Sequence, residues 1–353
     1  MRYLFVTTYP PARCGIGVYA SQSVKKLRSL GHLIDIMSPD LNGNVDFKYD
    51  LCGGFKILKI LKLGIFYDKI VIQYQPAFFF KRSGDCGEWW NNLKANLAFI
   101  FFLLCYRKKI EIICHEIHYY SIQRIGILNY LAHRSWWLLA RTIVFHTQKE
   151  CDTFKTNIRF GIRWKQLELR SHHEDFSKYR DISIYEARCE LGISLQEQVF
   201  LCIGFIQPHK GFDRVIRAFN AADPENAKLY IVGSLRLVYD ATLNYLRLLR
   251  FLAAGNPRVE VIEKFVSDQE FDTWIAACDY IVAPYREIWS SSILARAKLF
   301  GKKVIAADVG GLDEQLDGEG FLFATDAELE GIIRQVAVSP GSDVPGRLDA
   351  PGT

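Results

Sequence analysis

The stretch from Val282 to Leu316, VAPYREIWSSSILARAKLFGKKVIAADVGGLDEQL, admits few folds. An apolar run reaches Pro284, and a polar turn carrying Ser290, Ser291 and Ser292 follows. Ile293, Leu294, Ala297 and Phe300 then recur at helical spacing. Gly301 stops that helix, and Lys303 to Ala307 reads as a second short strand. Strand, helix and strand in this order make the unit of a parallel sheet, with the serine turn at the strand ends, where such sheets bind ligands. Hydroxyls and open amides at a helix start lie along the positive end of its dipole and suit a phosphate or diphosphate. A single serine there would read as an N-cap; three in a row exceed what capping needs, and on the turn alone both readings stay open.

At 353 residues the chain is long for one core, so two domains are expected. A formal charge of +5 is too mild for a nucleic-acid-binding profile, although it allows anionic substrates or an anionic membrane surface. Nine cysteines, an odd number without close pairing, read as reduced core thiols of a cytoplasmic protein, with no zinc spacing and no disulfide framework. The start, MRYLFVTTYP, runs directly into a strand, so no signal peptide is expected. The most apolar run, LAFIFFLLCY from Leu97 to Tyr106, is too short to span a bilayer.

In chain order, strands are expected at Tyr3 to Thr8, Leu33 to Met37, Lys69 to Gln73, Lys109 to Cys114 and Thr142 to Thr147. Gly15 and Gly17 precede a helix from about Val18 to Leu30, and serve either a close backbone approach to a ligand or simply a tight turn. Glu88 to Tyr106 reads as a long helix with Trp89 and Trp90 at one end and Arg107, Lys108 and Lys109 beyond the other. With Phe78 to Phe80 it is either an interfacial membrane element or a buried helix with a solvated basic end. His115 stands at a strand end beside Glu116 and His118, where it can hydrogen-bond a polar substrate or the fold itself; no third ligand at plausible spacing supports a metal. After the polar stretch SHHEDFSKY the alternation restarts, with strands at Val199 to Gly204, Lys228 to Gly233 and Val259 to Ile262 and a helix from Gly211 to Phe219. Lys210 therefore lies at a strand-helix junction on the same sheet edge as the serines. Ser267 and Glu270 form a capping box, and the residues after about 339 lack apolar periodicity and read as a disordered tail.

Six pieces in register, PPARCGIGVYA, CHEIHYY, GFIQPHKGFDRVIRAF, LYIVGS, EKFVSDQEFDTWIAACDYIVAPYRE and SSSILARAKLFGKKVIAADVGGLDE, span residue 3 to about 335. In these the chain resembles the family 4 retaining glycosyltransferases of the GT-B fold, the glycosyl transferases group 1. The resemblance implies an α/β architecture of two Rossmann-like doubly wound parallel-sheet domains facing a central cleft: an acceptor-side domain over 1–175, a nucleotide-sugar-binding domain over 176–338, and the tail 339–353. It implies hexosyltransferase-type transfer from a nucleotide-diphosphate sugar, with retention and no obligatory metal or other cofactor. The acceptor is expected to be a saccharide or lipid-linked saccharide of surface polysaccharide or glycolipid synthesis. The expected place of work is the cytoplasm, with the inner face of the plasma membrane and peripheral membrane contact as an open option, and no nucleic acid partner is expected.

By the same resemblance His115, Lys210 and Glu287 are the catalytic candidates. The donor is expected against Gly15, Gly17, Gly204, Lys210, Gly233, Phe265, Val266, Glu287, Ser290, Ser291, Ser292 and Arg296. The leaving diphosphate develops negative charge and therefore needs fixed donors. The chain also departs from the family. Ile288 and Arg296 stand where many members carry a glutamate pair, with Glu287 one position off as a substitute for the first, and Phe205 stands where many have an arginine. Lys210 is then left with more of the diphosphate charge, with Arg296 as a second contributor. These departures keep an alternative open, a nucleotide-sugar-binding partner subunit without turnover. The sugar, base, acceptor and linkage are not written in the sequence.

Overall fold

Short runs of Val, Ile, Leu and Phe bounded by turn residues become strands buried on both faces, because crossover helices cover a parallel sheet on either side. The computed structural model describes residues 1–338 except 13, 40–43, 82–84, 116–124, 159–161, 172–173 and 237. These form two compact units, residues 1–177 with Trp289–Ala295, and residues 178–288 with Arg296 onward.

The first unit holds seven parallel strands: β1 Arg2–Val6, β2 Leu33–Ser38, β3 Phe47–Lys48, β4 Lys69–Tyr74, β5 Ile110–Cys114, β6 Thr142–Phe145 and β7 Gln166–Leu169. Their order is β3-β2-β1-β4-β5-β6-β7, so the winding reverses between β1 and β4. Its helices are α1 Gly15–Ser29, α2 Lys59–Gly64, α3 Pro76–Phe79, α4 Glu88–Tyr106, α5 Ile127–Leu139 and α6 Gln148–Asn157. Ile70, Ile72, Phe99, Phe102, Trp136 and Phe145 are at the centre of its core.

The second unit holds β8 Gln198–Ile203, β9 Ala227–Gly233, β10 Val259–Glu263, β11 Tyr280–Ala283, β12 Lys303–Ala307 and β13 Phe321–Phe323. Their order is β10-β9-β8-β11-β12-β13, again parallel, with the reversal between β8 and β11. The helices of this part of the chain are α7 Ile184–Leu191, α8 Phe212–Ala222, α9 Asp240–Ala253, α10 Asp268–Ala277, α11 Ser292–Leu299, whose first four residues are grouped with the first unit, α12 Leu312–Leu316 and α13 Asp326–Val338. The expected capping box at Ser267 is present at the start of α10, with the Ser267 hydroxyl accepting the Glu270 amide at 3.3 Å.

Several expectations need correction. The first helix begins at Gly15 rather than near Val18, because Gly15 and Gly17 are themselves helical. Helices α5, α7, α9 and α13 and the strands β3 and β13 were not among the expected elements, although Thr242, Tyr245, Leu246 and Leu249 of α9 are buried at helical spacing. The cysteines are not all core residues: Cys14, Cys114, Cys151, Cys202 and Cys278 are buried, whereas Cys86, Cys105 and Cys189 are exposed on helix or loop surfaces. Glu116, His118, His172, His173 and the tail 339–353 lie outside the described residues.

Candidate functional site

In the second sheet the winding reverses between β8 and β11, and the loops leaving those two strands carry Lys210 and Arg286. A single 3-10 turn, Pro208–Lys210, leads into Gly211, whose φ of 67° opens α8. A Cβ on Gly211 would stand 2.0 Å from the Pro284 carbonyl oxygen, so only glycine lets this turn pack against the end of β11. Gly233 is required in the same way, since its Cβ would meet the Gly204 carbonyl oxygen at 1.7 Å.

The turn is tied down by one arginine. Arg286 donates through Nη1 and Nη2 to the two Asp213 oxygens at 2.8 and 2.7 Å, and Nη1 also reaches the Pro208 carbonyl at 2.9 Å. Its amide donates to the His209 carbonyl at 2.8 Å, and the Tyr245 hydroxyl donates to Asp213 at 2.8 Å. Burial pushes the Asp213 carboxyl up, yet these donors hold it below the usual carboxylate range. The Asp213 charge is thus used up locally, and Lys210 is left without an ion partner among the described residues. Its ammonium lies 4.1 Å from the centroid of the buried Tyr285 ring. Loss of water around it lowers its pKa to about 8. An ammonium held by a ring face, with no carboxylate to neutralise it, suits an incoming anion.

The three serines divide their work. Ser291 is buried and its hydroxyl accepts the Ile293 amide at 3.3 Å, the capping contact of α11. Ser290 bonds the side chain of Glu150, and Ser292 is the first residue of the helix. Arg296, expected at the donor, is instead buried among acids. It donates to Asp268 Oδ1 at 3.0 Å, to the Asp268 carbonyl at 2.9 Å and to Asp272 Oδ1 at 2.6 Å, so its charge is neutralised inside the fold rather than offered to a diphosphate. Glu287 is exposed and makes no hydrogen bond or ion pair among the described residues. Phe265 and Val266 form the loop between β10 and α10, with Phe265 exposed, and Phe205 is partly exposed after β8.

In the first unit His115 leaves β5 and His146 leaves β6, with ring centroids 5.1 Å apart. Tyr19 of α1 meets both edge-on, at 5.4 and 5.1 Å, and donates to Asp175 at 2.8 Å. Gly17 lets α1 come this close: its Cβ would stand 3.3 Å from the Thr8 carbonyl, while Gly15 has open space. His115 Nε2 donates to Gln73 Oε1, and His146 Nδ1 donates to the Arg170 carbonyl at 2.9 Å, which assigns the tautomers. Burial lowers the His115 pKa well below normal, aided by His146, and lowers His146 to about 4. Both rings are neutral near pH 7, able to hydrogen-bond a sugar hydroxyl without adding charge.

Sequence reading missed His146, Glu150, Asp213, Tyr245 and Arg286 as a set. A histidine after β6 was visible as a strand-end residue like His115; the Arg286–Asp213 pair, 73 positions apart, left no local signal. Glu150 Oε2 accepts the His146 and Thr147 amides at 2.8 and 3.1 Å, yet burial outweighs these and raises its pKa to about 7. A folded carboxyl above its unfolded value of 4.5 contributes stability below pH 4.5 that is lost as pH rises to about 7. Glu150→Gln, which keeps the capping geometry, should flatten that decline of roughly 2–3 kcal/mol, as measured by urea midpoints between acid and neutral pH. An unchanged pH profile would mean that the Glu150 carboxyl titrates alike in the folded and unfolded chain.

Residues 197–337 match the family of glycosyl transferases group 1. The matched region runs from β8 into α13 and includes the Lys210 turn and the Arg286 clamp. The chain is 24% identical over 174 residues to a GDP-mannose:glycolipid 4-beta-D-mannosyltransferase of Xanthomonas campestris pv. campestris, covering 47% of each. It thus spans about half the length of this curated relative. A sucrose-phosphate synthase from Thermosynechococcus elongatus superposes with a TM-score of 0.70 at 14% identity, covering 96% of this chain and 90% of that one. The Anabaena HepE protein in complex with UDP and glucose gives 0.62 at 17% identity, covering 95% and 89%. At such identities these structures show the fold, the paired parallel α/β sheets of GT-B.

Proposed function

We propose that this protein is a retaining glycosyltransferase that moves a sugar from a nucleotide-diphosphate donor to a saccharide or lipid-linked saccharide acceptor. The work is surface polysaccharide or glycolipid synthesis, in the cytoplasm at the inner face of the plasma membrane. The observation that carries this reading is Lys210: a desolvated ammonium without a carboxylate partner among the described residues, at the switch point of a sheet that matches glycosyl transferases group 1. Cleaving the bond between sugar and diphosphate builds negative charge on the leaving group, and a preorganised cation stabilises it without reorganisation. The ring carbon becomes cationic as the bond breaks, and the neutral imidazole of His115 can hold a sugar hydroxyl without opposing that charge. A glycolipid-modifying relative and a UDP-bound structural neighbour support the substrate classes.

His115→Ala should lower transfer by about 10²-fold or more while leaving donor affinity nearly unchanged, measured as kcat and donor Kd on the same preparation. Equal loss in both would reduce His115 to a packing role. The reading as a whole is tested by offering a panel of nucleotide sugars and assaying free nucleotide. Binding without release under any acceptor would favour the second reading, a partner subunit lacking turnover, which the internal pairing of Arg296 and the Ile288 substitution favour.

A further inference from the structure

We propose that the face of the first unit built from α4, α5 and the helical stretch Lys56–Gly64 is a docking surface for an anionic phospholipid bilayer. Trp90, Lys94, Leu97, Phe101, Leu104 and Lys108 follow one another at steps of three and four, and so form one stripe along α4 and its C-terminal end. All six are exposed, Trp90 by 62%, Phe101 by 53% and Leu104 by 61%. The opposite side of α4 is already occupied, since Ala95, Ala98, Phe99, Phe102 and Leu103 are in the core. A helix that is apolar on its core side and apolar again on its outer side is not made for water alone.

The stripe has company on both flanks. Helix α5 is held beside α4 by a buried relay in which Trp136 Nε1 donates to Asn96, Asn96 to Asn129, and Asn129 to the Trp89 carbonyl. It presents Leu128 and Leu131, each more than half exposed. On the other flank the Tyr106 hydroxyl donates to the Leu61 carbonyl at 2.7 Å and Lys109 Nζ to the Tyr67 carbonyl at 2.8 Å. There Phe55, Ile65 and Phe66 are exposed by 54%, 63% and 60%.

Charge chooses the occupant. Residues 51–67, 89–110 and 125–139, which build this face, hold eight Lys and Arg and no Asp or Glu; Lys56 is paired with Asp50, while Lys59, Lys62, Lys94 and Lys108 are exposed. Such segregation complements an anionic surface. It works against a second copy of this chain, because a two-fold contact would set the lysine-flanked stripe against itself. No helix of the described residues is long and apolar enough to cross a membrane, which fits α4 lying in the interface, with aromatic and aliphatic side chains among the acyl chains and lysines at the headgroups.

The test is co-sedimentation of the full chain with vesicles of phosphatidylcholine alone or mixed with phosphatidylglycerol, at low and high salt. Binding is expected to the anionic vesicles at low salt and to fall as salt rises. Lys94→Glu/Lys108→Glu should weaken it by about tenfold or more. Phe101→Ser/Leu104→Ser should weaken it at every salt concentration. Both variants alter exposed positions and should keep wild-type nucleoside-diphosphate affinity, which separates this inference from the transfer reading. No binding to anionic vesicles at low salt would overturn the proposal, as would unchanged binding by both variants. A dimer in solution that Phe101→Ser/Leu104→Ser dissociates would also overturn it and assign the face to self-association.

Discussion

Lys210→Ala is expected to weaken nucleoside-diphosphate binding by about 1.5–3 kcal/mol, the worth of one charge-assisted contact. The wild-type affinity should also fall as pH rises through about 8, where the free ammonium loses its proton. The sign follows from desolvation: a lysine whose pKa is lowered is neutral above that pH, so the anion then meets an uncharged amine. The alanine variant should lack this slope. Arg286→Ala, which unties the Pro208–Lys210 turn, should move affinity in the same direction by a smaller amount. Titration calorimetry with a nucleoside diphosphate across pH 6 to 10 decides this, and an unchanged dissociation constant for Lys210→Ala removes the residue from the site.

The largest effect on stability is expected at Arg296, where replacement by alanine should cost about 3–5 kcal/mol. Its side chain is 5% exposed and Asp272 is 1% exposed, so the substitution leaves a buried carboxylate that has lost its cation. The Tyr179 and Arg180 amides still donate to Asp272, at 2.6 and 3.0 Å, which keeps the loss toward the lower end. Urea unfolding followed by circular dichroism measures it. A midpoint within error of wild type would show that water reaches Asp272. Donor affinity of the folded variant should stay close to wild type, because this guanidinium is committed inside the second unit.

Much of this was legible in the chain, and the pattern of success has a physical cause. Strand cores such as Lys303–Ala307 and the helix Glu88–Tyr106 carried strong local periodicity, and both occur at the expected bounds. The Ser267 capping box is a contact over three residues, so sequence spacing alone implied it. Local spacing could not distinguish the uses of Ser290, Ser291 and Ser292, because whether a hydroxyl caps a helix or bonds Glu150 depends on what packs beside it. Arg296 misled for the same reason. An arginine one turn into a helix beside a phosphate-type loop looks like a donor contact until Asp268 and Asp272, 28 and 24 residues earlier, are brought against it.

By itself the sequence determined the alternation of strands and helices, the placing of Lys210 and His115 at strand ends, and the apolar and cationic character of α4, because each is a property of neighbours along the chain. Tertiary structure decided which charges remain available. Asp213 is taken by Arg286 and Arg296 by its two aspartates, while the Lys210 ammonium rests on the Tyr285 ring. Charge neutralisation acts over a few ångströms whatever the separation in sequence, so only the folded chain shows which cation is left to meet a ligand.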